Sequence, residues 1–457
     1  MLVYERRTPK TRGYVSAVVE SRGDLVEDGF RDHGALAADV LWVDAEDAVQ
    51  ADLAGYVVAF AVLLITGARL GSSLGYRRTF LLGLTVFTAA SLACGLAPGT
   101  ATLVVARFIQ GAGAALIVPQ VLSGIQMHFE GRDRLKALGY FSIALSGGAV
   151  AGQLLGGVII AADLFGTGWR PIFLVNVPIG IVLAVAGRRL LPADPPGHRD
   201  RLDLGGVLAL STTVLLVIVP LLLGSERGWP TWSWLCLLLS VPALALFEYG
   251  ERRAASRGSR PLIARPVLGN PSVRLGLLAH GCTSGTYFAL LFVLALYLQG
   301  GLHKGPAYSG FAMVVWVATF GLAGPILPRL RRGVRWMPVI GCLVLAVGYV
   351  AVLAYLLLDG TAGPLLFALL GIGGLGLGIT SNTLIGAVTS SMSSQYAADL
   401  SGVVATNAQL SGALGVAIAG STYAALAVDP SRALEVVLAG FIVLTLIGAH
   451  AAHRLVR

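Results

Sequence analysis

Charge is what this sequence has least of. Only 12% of its 457 residues are Asp, Glu, Lys or Arg, and 56% are apolar, whereas a soluble globular chain carries roughly 25% charged residues. There is too little polar surface to cover several water-soluble domains. Cysteine is nearly absent as well. Cys94, Cys236, Cys282 and Cys342 form no Cys-x-x-Cys pair and lie in apolar stretches, so neither a disulfide framework nor a thiolate metal site is indicated. The seven His are scattered, with no His-x-x-x-His set and no nucleophile–base arrangement in any apolar segment, which argues against an enzyme. The Gly-x-Gly runs near residue 375 lack the preceding strand and the Lys-Ser/Thr of a nucleotide loop. They give no support to ATP coupling. A secretory leader, with its short apolar core and small-residue cleavage site, is not visible at the start either.

Long apolar runs are what the sequence does have. Thirteen candidate spans lie at 51–72, 79–97, 101–124, 137–161, 171–191, 203–223, 230–249, 274–298, 308–330, 336–358, 363–389, 399–426 and 434–453. Each is near the ~20 residues that carry an α-helix across about 30 Å of hydrocarbon. The runs are continuously apolar rather than alternating, which predicts helices and not a barrel. The expected fold class is an all-α polytopic membrane protein. Residues 1–50 differ in kind, with 6 Lys/Arg against 10 Asp/Glu and no run long enough to span. They read as a poorly ordered acidic tail.

The remaining net charge is +13, and it sits in short loops, where it orients helices rather than binding nucleic acid. Arg77 and Arg78, then Arg132, Arg134 and Lys136, then Arg188 and Arg189 fall on one side. Arg252, Arg253, Arg265, Arg335, Arg454 and Arg457 continue that side. The positive-inside rule makes it cytoplasmic, so the expectation is a multi-pass protein of the cell membrane with a cytoplasmic C-terminus. Trp229, Trp232 and Trp234 cluster at the opposite end of a span, where an aromatic belt belongs.

Four motifs follow one another in the first half: LLITGARLGSSLGYRRTF (63–80), VVARFIQGAGAALIVPQVLS (104–123), GGAVAGQLLGG (147–157) and GWRPIFLVNVPIG (168–180). In this order and spacing the sequence resembles the major facilitator superfamily, and specifically its fourteen-span drug:proton antiporter branch, over residues 43–457. The resemblance implies a two-bundle transporter with two extra central helices. It divides the chain into an N-terminal bundle at 51–191, two inserted spans with their linkers at 192–266, and a C-terminal bundle of six spans at 267–457. The family places one span ahead of the first seen here, so the N-terminal bundle is expected to hold five spans and to show an open side beside 101–124 and 171–191.

The same resemblance implies roles for individual residues. Gly71, Ser72, Gly75, Arg77 and Arg78 stand in the family's gating loop, with Ser72 at the position of an Asp that acts as a latch. Arg107, with Gln110, stands in a proton-coupling network. An arginine inside a span is costly and normally faces a polar cavity; the competing reading is an anchor that snorkels to the headgroups. Gly148, Gly152, Gln153, Gly156 and Gly157 resemble the antiporter helix, with Gln153 where the family has Pro. Tyr56, Asn176, Asn382, Asn407 and Gln409 are candidates for a substrate cavity. The spans 203–223 and 230–249, with very few polar groups, are expected to face lipid.

The function that follows is proton-coupled export of small amphiphilic compounds. The proton gradient is the energy source, no metal or other cofactor is required, lipid is the surrounding partner, and the chain acts as a monomer. The alternative is a truncated, non-transporting relative or scaffold, suggested by the absent span and by Ser72.

Overall fold

Thirteen helices long and apolar enough to cross a membrane make up most of the computed structural model, whose described residues are 45–162, 169–194, 204–224, 228–256, 263–327, 334–359 and 363–457. The spans are labelled α1 (Ala45–Leu74), α2 (Tyr76–Gly95), α3 (Thr100–His128), α4 (Gly131–Ala162), α5 (Pro171–Leu190), α6 (Leu204–Leu223) and α7 (Thr231–Ser256). Then come α8 (Pro271–Leu296), α9 (Pro306–Ile326), α10 (Met337–Asp359), α11 (Pro364–Ser390), α12 (Ala397–Ala425) and α13 (Pro430–Val456). No strand occurs among the described residues. The first helix begins at Ala45, so the acidic-tail reading concerns residues that lie almost wholly outside the described ones.

Local chemistry sets the helix starts. Pro171, Pro271, Pro306, Pro364 and Pro430 occupy the first turn, where a missing N–H costs nothing because that group would have no intrahelical partner. Asn270 and Asp429 precede two of them, and their side chains accept from the amides of Ser272 and Arg432. These are N-caps of the usual kind.

Close packing of the helices depends on glycine. In lipid, helix association rests on van der Waals contact and hydrogen bonds, so small residues at crossings matter. A Cβ at Gly67 of α1 would lie 2.2 Å from the Ala115 carbonyl oxygen of α3. That carbonyl is four residues before Pro119, which cannot donate back to it. At the crossing of α4 and α9 the backbones of Gly139 and Gly324 meet, and a Cβ on Gly324 would lie 2.4 Å from the Gly139 Cα.

The spans form two groups. In the first, α1 packs on α3, α3 on α2, and α2 on α5; in the second, α8 packs on α12, α13 and α11, and α10 on α11 and α13. α4 instead packs chiefly on α9 and also on α11, so it reaches across to the second group. The inserted pair divides in role. Leu238, Val241 and Leu246 of α7 are exposed, as expected of a lipid-facing helix. By contrast Leu210, Val214 and Ile218 of α6 are buried in one core with Ala61 and Ile65 of α1 and Leu400 and Val403 of α12. The lipid-facing expectation therefore holds for only one side of α6, where Leu208 and Leu215 are exposed, because another side is spent on the seam between the groups.

Substituting these glycines tests the packing. Gly67→Val should lower the thermal midpoint and folded yield of the detergent-purified protein, with an overpacking cost of about 1–3 kcal/mol. Gly440→Ala, where an added Cβ meets nothing within 4 Å, should be silent in the same size-exclusion thermal assay.

Candidate functional site: an ionic seam and an arginine stacked on aromatics

The two groups of helices are joined at the end that carries the arginine-rich loops. Arg69, near the end of α1, meets Asp399, at the start of α12, with Nε 3.2 Å from Oδ1 and Nη2 3.5 Å from Oδ2. Asp399 is buried, and it also accepts the backbone amide of Ala264 at 3.0 Å. Ala264 belongs to the segment that leaves the inserted helices and enters α8. One helical turn from the end of α7, the buried Glu251 accepts the Ile263 amide at 3.0 Å. Two carboxylates thus hold adjacent amides of one connecting segment, and one of the two also holds the first bundle.

Further contacts lie at the same end. The hydroxyls of Ser123 (α3) and Ser401 (α12) are 2.7 Å apart, and Ser142 of α4 donates to Asn382 Oδ1 of α11 at 2.8 Å. Asn382 in turn donates to the Gly378 carbonyl. With the Arg69–Asp399 contact, these side-chain hydrogen bonds join the two bundles at this end. Toward the other end α4 is open. Added Cβ atoms at Gly147, Gly148 and Gly152 would meet nothing within 4 Å. The apolar side chains Val105, Phe108 and Ile109 on α3, and Ile181, Val182 and Val185 on α5, are exposed.

The loop between α1 and α2 is built for a tight turn. Gly75 has φ +101°, a conformation that disfavours any side chain, and a Cβ there would collide with Asp194. Asp194 follows α5 and accepts the amides of Arg77 at 2.8 Å and Arg78 at 3.2 Å. A carboxylate on the first amides of α2 satisfies donors left over at a helix start and complements the helix dipole. The Arg77 guanidinium donates to the Arg188 carbonyl. Ser72 donates to the Arg69 carbonyl at 2.8 Å, and Gly71 leaves room for the Gln120 side chain, which donates to the Gly67 carbonyl. Serine at position 72 carries no charge, and the ion pair at this end joins Arg69 to Asp399.

Arg107 lies near the opposite end, half-buried on α3. Nη1 donates to Gln110 Oε1 at 2.7 Å, and Gln110 Nε2 donates to the Ser91 hydroxyl at 2.6 Å. The guanidinium carbon is 4.6 Å from the ring centre of Tyr56 and 5.4 Å from that of Phe173. Tyr56, Arg107 and Gln110 are therefore brought together, and Phe173 joins them without having been anticipated from the sequence.

The other candidates are placed elsewhere. Asn382 lies in the contact between the bundles. Asn407 donates to the Leu277 carbonyl at 3.1 Å and lies 3.3 Å from Nδ1 of the buried His280, about ten residues into α12. Asn176 and Gln409 are half-buried on α5 and α12. Gly148 and Gly152 lie on the exposed stretch of α4, while the side-chain surroundings of Gln153, Gly156 and Gly157 lie outside the described residues. Asp194, Asp399 and His280 were missed. Of these His280 had a legible signal, since an ionisable residue within a span marks a site by default, whereas Asp399 opens its span.

Removing one partner of a buried ion pair strands the other, at a cost of about 3–5 kcal/mol. Arg69→Gln and Asp399→Asn should each lower the thermal midpoint, and the double variant should lower it by less than the two effects combined. Additive effects would show that the two side chains do not interact.

Comparison with known proteins fits this geometry. The profile of the Major Facilitator Superfamily matches residues 45–416. The chain is 35% identical over 397 residues to a probable actinorhodin transporter of Streptomyces coelicolor, covering 83% of this chain and 68% of that one. It is 36% identical over 376 residues to the cephamycin export protein CmcT of Amycolatopsis lactamdurans, covering 79% and 74%. In fold it resembles the human organic anion transporter MFSD10, with a TM-score of 0.63 at 16% identity over 96% of this chain and 92% of that one. The transporter FucP in its outward conformation gives 0.57 at 14% identity, over 96% of both chains. The chain belongs to the Major Facilitator Superfamily.

Proposed function

We propose that this protein is a proton-coupled exporter of small amphiphilic compounds, of the fourteen-span drug:proton antiporter kind. The observation that carries the reading is the two-ended arrangement of the bundles. They are tied at the arginine-rich end by Arg69, Asp399, Ser123, Ser401, Ser142 and Asn382, while Arg107 is half-exposed toward the other end. A secondary transporter exposes one midplane site to each side in turn by rocking two bundles, and this is how such a molecule looks when closed at one end. The arginine-rich loops make that closed end cytoplasmic by the positive-inside rule. The C-terminus is then cytoplasmic as well, the membrane is the cell membrane, and the working unit is the monomer.

Each residue group takes a role in this cycle. Arg69 and Asp399 form the cytoplasmic latch, replacing the ion pair that Ser72 cannot make. Gly75 and Asp194 hold the turn through which α1 and α2 move as one piece, with Arg77 and Arg78 fixing its register. Arg107 keeps a positive charge at the outer end of the bundle, oriented by Gln110. The small residues Gly148 and Gly152 leave that stretch of α4 open for approach of another helix or of substrate, and Asn407 with Gln409 offers polar groups to substrate. Relatives that are named for export or resistance, including a puromycin resistance protein of Streptomyces alboniger at 34% identity, support the substrate class. An apolar cavity with few hydrogen-bonding groups gives broad, weak selectivity.

The reading is tested in everted vesicles with an imposed pH gradient and a panel that includes puromycin. Wild-type protein should take up at least one compound in a gradient-dependent way, and Arg107→Ala and Arg107→Lys should both abolish that uptake at unchanged membrane abundance. The Lys variant fails because it lacks the planar fork of donors. A silent Arg107→Lys variant would instead make Arg107 a headgroup anchor, and no gradient-dependent flux by the wild type would favour a non-transporting relative. A cysteine introduced at Gly300 should react with an impermeant maleimide on intact cells, and one at Arg457 should not.

A further inference from the structure

A proton-coupled cycle needs a group that takes up and releases a proton, and arginine does not release one in a protein. Arg107 is therefore not the carrier. The buried carboxylates Asp399 and Glu251 are each engaged with a backbone amide. His280 of α8 is buried as well, and imidazole is the side chain that changes charge near neutral pH. From Pro271 to His280 the helix rises about 14 Å, roughly half of the ~30 Å hydrocarbon core. An ionisable side chain at that depth marks a site once its partner is named.

Two side chains hold the ring. Nδ1 lies 3.3 Å from Asn407 Nδ2 of α12, and Nε2 lies 3.4 Å from the Ser284 hydroxyl. A further contact orients the Asn407 amide, since Nδ2 also donates to the Leu277 carbonyl at 3.1 Å. Turning that amide over would set Oδ1 against the carbonyl oxygen. The NH2 group therefore faces Leu277 and, with it, Nδ1. An amide NH2 only donates, so Nδ1 is the acceptor and the ring is neutral, with its proton on Nε2 toward Ser284. This arrangement has no place for a second proton, which on Nδ1 would set one N–H against another. The proton fits only when Asn407 turns to offer Oδ1, and that turn gives up the Leu277 carbonyl. Gly281 stands beside the amide, where a Cβ would lie 3.3 Å from Oδ1, and its bare backbone leaves room for the turn.

Charged groups do not compete for this role. Arg265 and Arg274 lie toward the start of α8, Asp399 opens α12, and Arg432, Glu435, His450, His453 and Arg454 lie toward the ends of α13. The helices α9 and α11 carry no charged side chain. Among the described residues, none of these groups is a hydrogen-bond or ion-pair partner of His280. Cys282 and the tyrosines of the same helices ionise only in alkaline solution. The contact that distinguishes the two charge states of the ring is Asn407.

We propose that His280 is the proton-binding site of the transport cycle and that the Asn407 amide switches with it. The neutral ring leaves Asn407 on the Leu277 carbonyl, which ties α12 to α8; a proton on Nδ1 turns the amide and releases that tie. The proton is taken from water on one side, forms the Nδ1–H bond, and is returned to water on the other. The linkage is reciprocal, so whatever pulls Asn407 away from Leu277 favours proton uptake. Asp399 stands on the same helix about 12 Å nearer the closed end, which puts the switch on the helix that carries the latch. This inference deepens the exporter reading and rests on it for the role in transport, though not for the switch itself.

The test is an NMR titration of the full-length protein in detergent, with 15N in His and Asn side chains. His280→Gln and Asn407→Leu, each checked for monodispersity, assign the two sets of signals. At about pH 8, above the range in which an ordinary imidazole charges, His280 should carry its proton on Nε2. Taken down to about pH 4, Nδ1 should gain a proton and the Asn407 amide signals should move with the same midpoint. In His280→Gln the Asn407 signals should stay still over that range. A proton on Nδ1 at the alkaline end, a ring that never charges, or a ring that charges while Asn407 stays unmoved would each overturn the proposal. In everted vesicles His280→Gln should lose pH-gradient-driven accumulation of puromycin, and unchanged accumulation would overturn the role in transport. Joint titration in a wild-type protein that takes up no compound of the panel would support the switch and reject the exporter reading.

Discussion

A buried carboxylate needs donors, and Asp399 draws them from two parts of the chain that lie far from it in sequence. Arg69 comes from the first bundle, the Ala264 amide comes from the segment joining the inserted helices to the second bundle, and Asp399 itself opens α12. An unpaired charge in such a place costs several kcal/mol, so the three pieces are held to one geometry for as long as the pair is buried. Much of the architecture supports this point. Gly75 and Asp194 fix the turn after α1, Gly67 and Gly71 bring α1 against α3, and the buried face of α6 covers the seam between α1 and α12. The connecting segment stays bonded to Asp399 by an amide on the side of the second bundle. If the proposed cycle separates Arg69 from it, the carboxylate still keeps the Ala264 amide. That lowers the cost of opening relative to a carboxylate stripped of every partner.

The opposite end is organised by the same chemistry used differently. Arg107 donates to a buried glutamine and lies against two aromatic faces. A buried ion pair that ties the bundles at one end and a half-buried arginine toward the other suit a molecule whose proposed cycle closes one end while it loads at the other.

Much of the fold could be read from the sequence because lipid imposes a simple constraint. Backbone groups in hydrocarbon must bond within their own helix, so each apolar run of about 20 residues predicts a helix, and the thirteen runs correspond to the thirteen spans. Helix ends shifted by a few residues, as with α8, whose cap Asn270 and first-turn Pro271 precede the apolar run at 274. Arg107 and Gln110 were legible because a charge within a span is rare. The Arg69–Asp399 pair was not, although both residues were in plain view. Arg69 reads as one more basic residue beside a loop, and Asp399 as a span end. Only folding brings together positions 330 residues apart. Phe173 and the burial of α6 were missed for a related reason, since an apolar side chain carries no mark of whether it faces lipid, a neighbouring helix or a guanidinium. Asn382 shows the converse, as its polarity suggested a cavity and its hydrogen bonds place it in the contact between the bundles.

The central claim is that the arginine-rich end is a gate which the Arg69–Asp399 pair holds shut. Spin labels on cysteines introduced at Leu74 and Gln395, both exposed beside the seam on opposite bundles, would report its width as a distribution of distances. The wild type should show a dominant short distance, and Asp399→Asn should move a large part of the population to a longer one while labels placed within a single bundle stay unchanged. An identical distribution in the two proteins, with Asp399→Asn folded and monodisperse, would contradict the account.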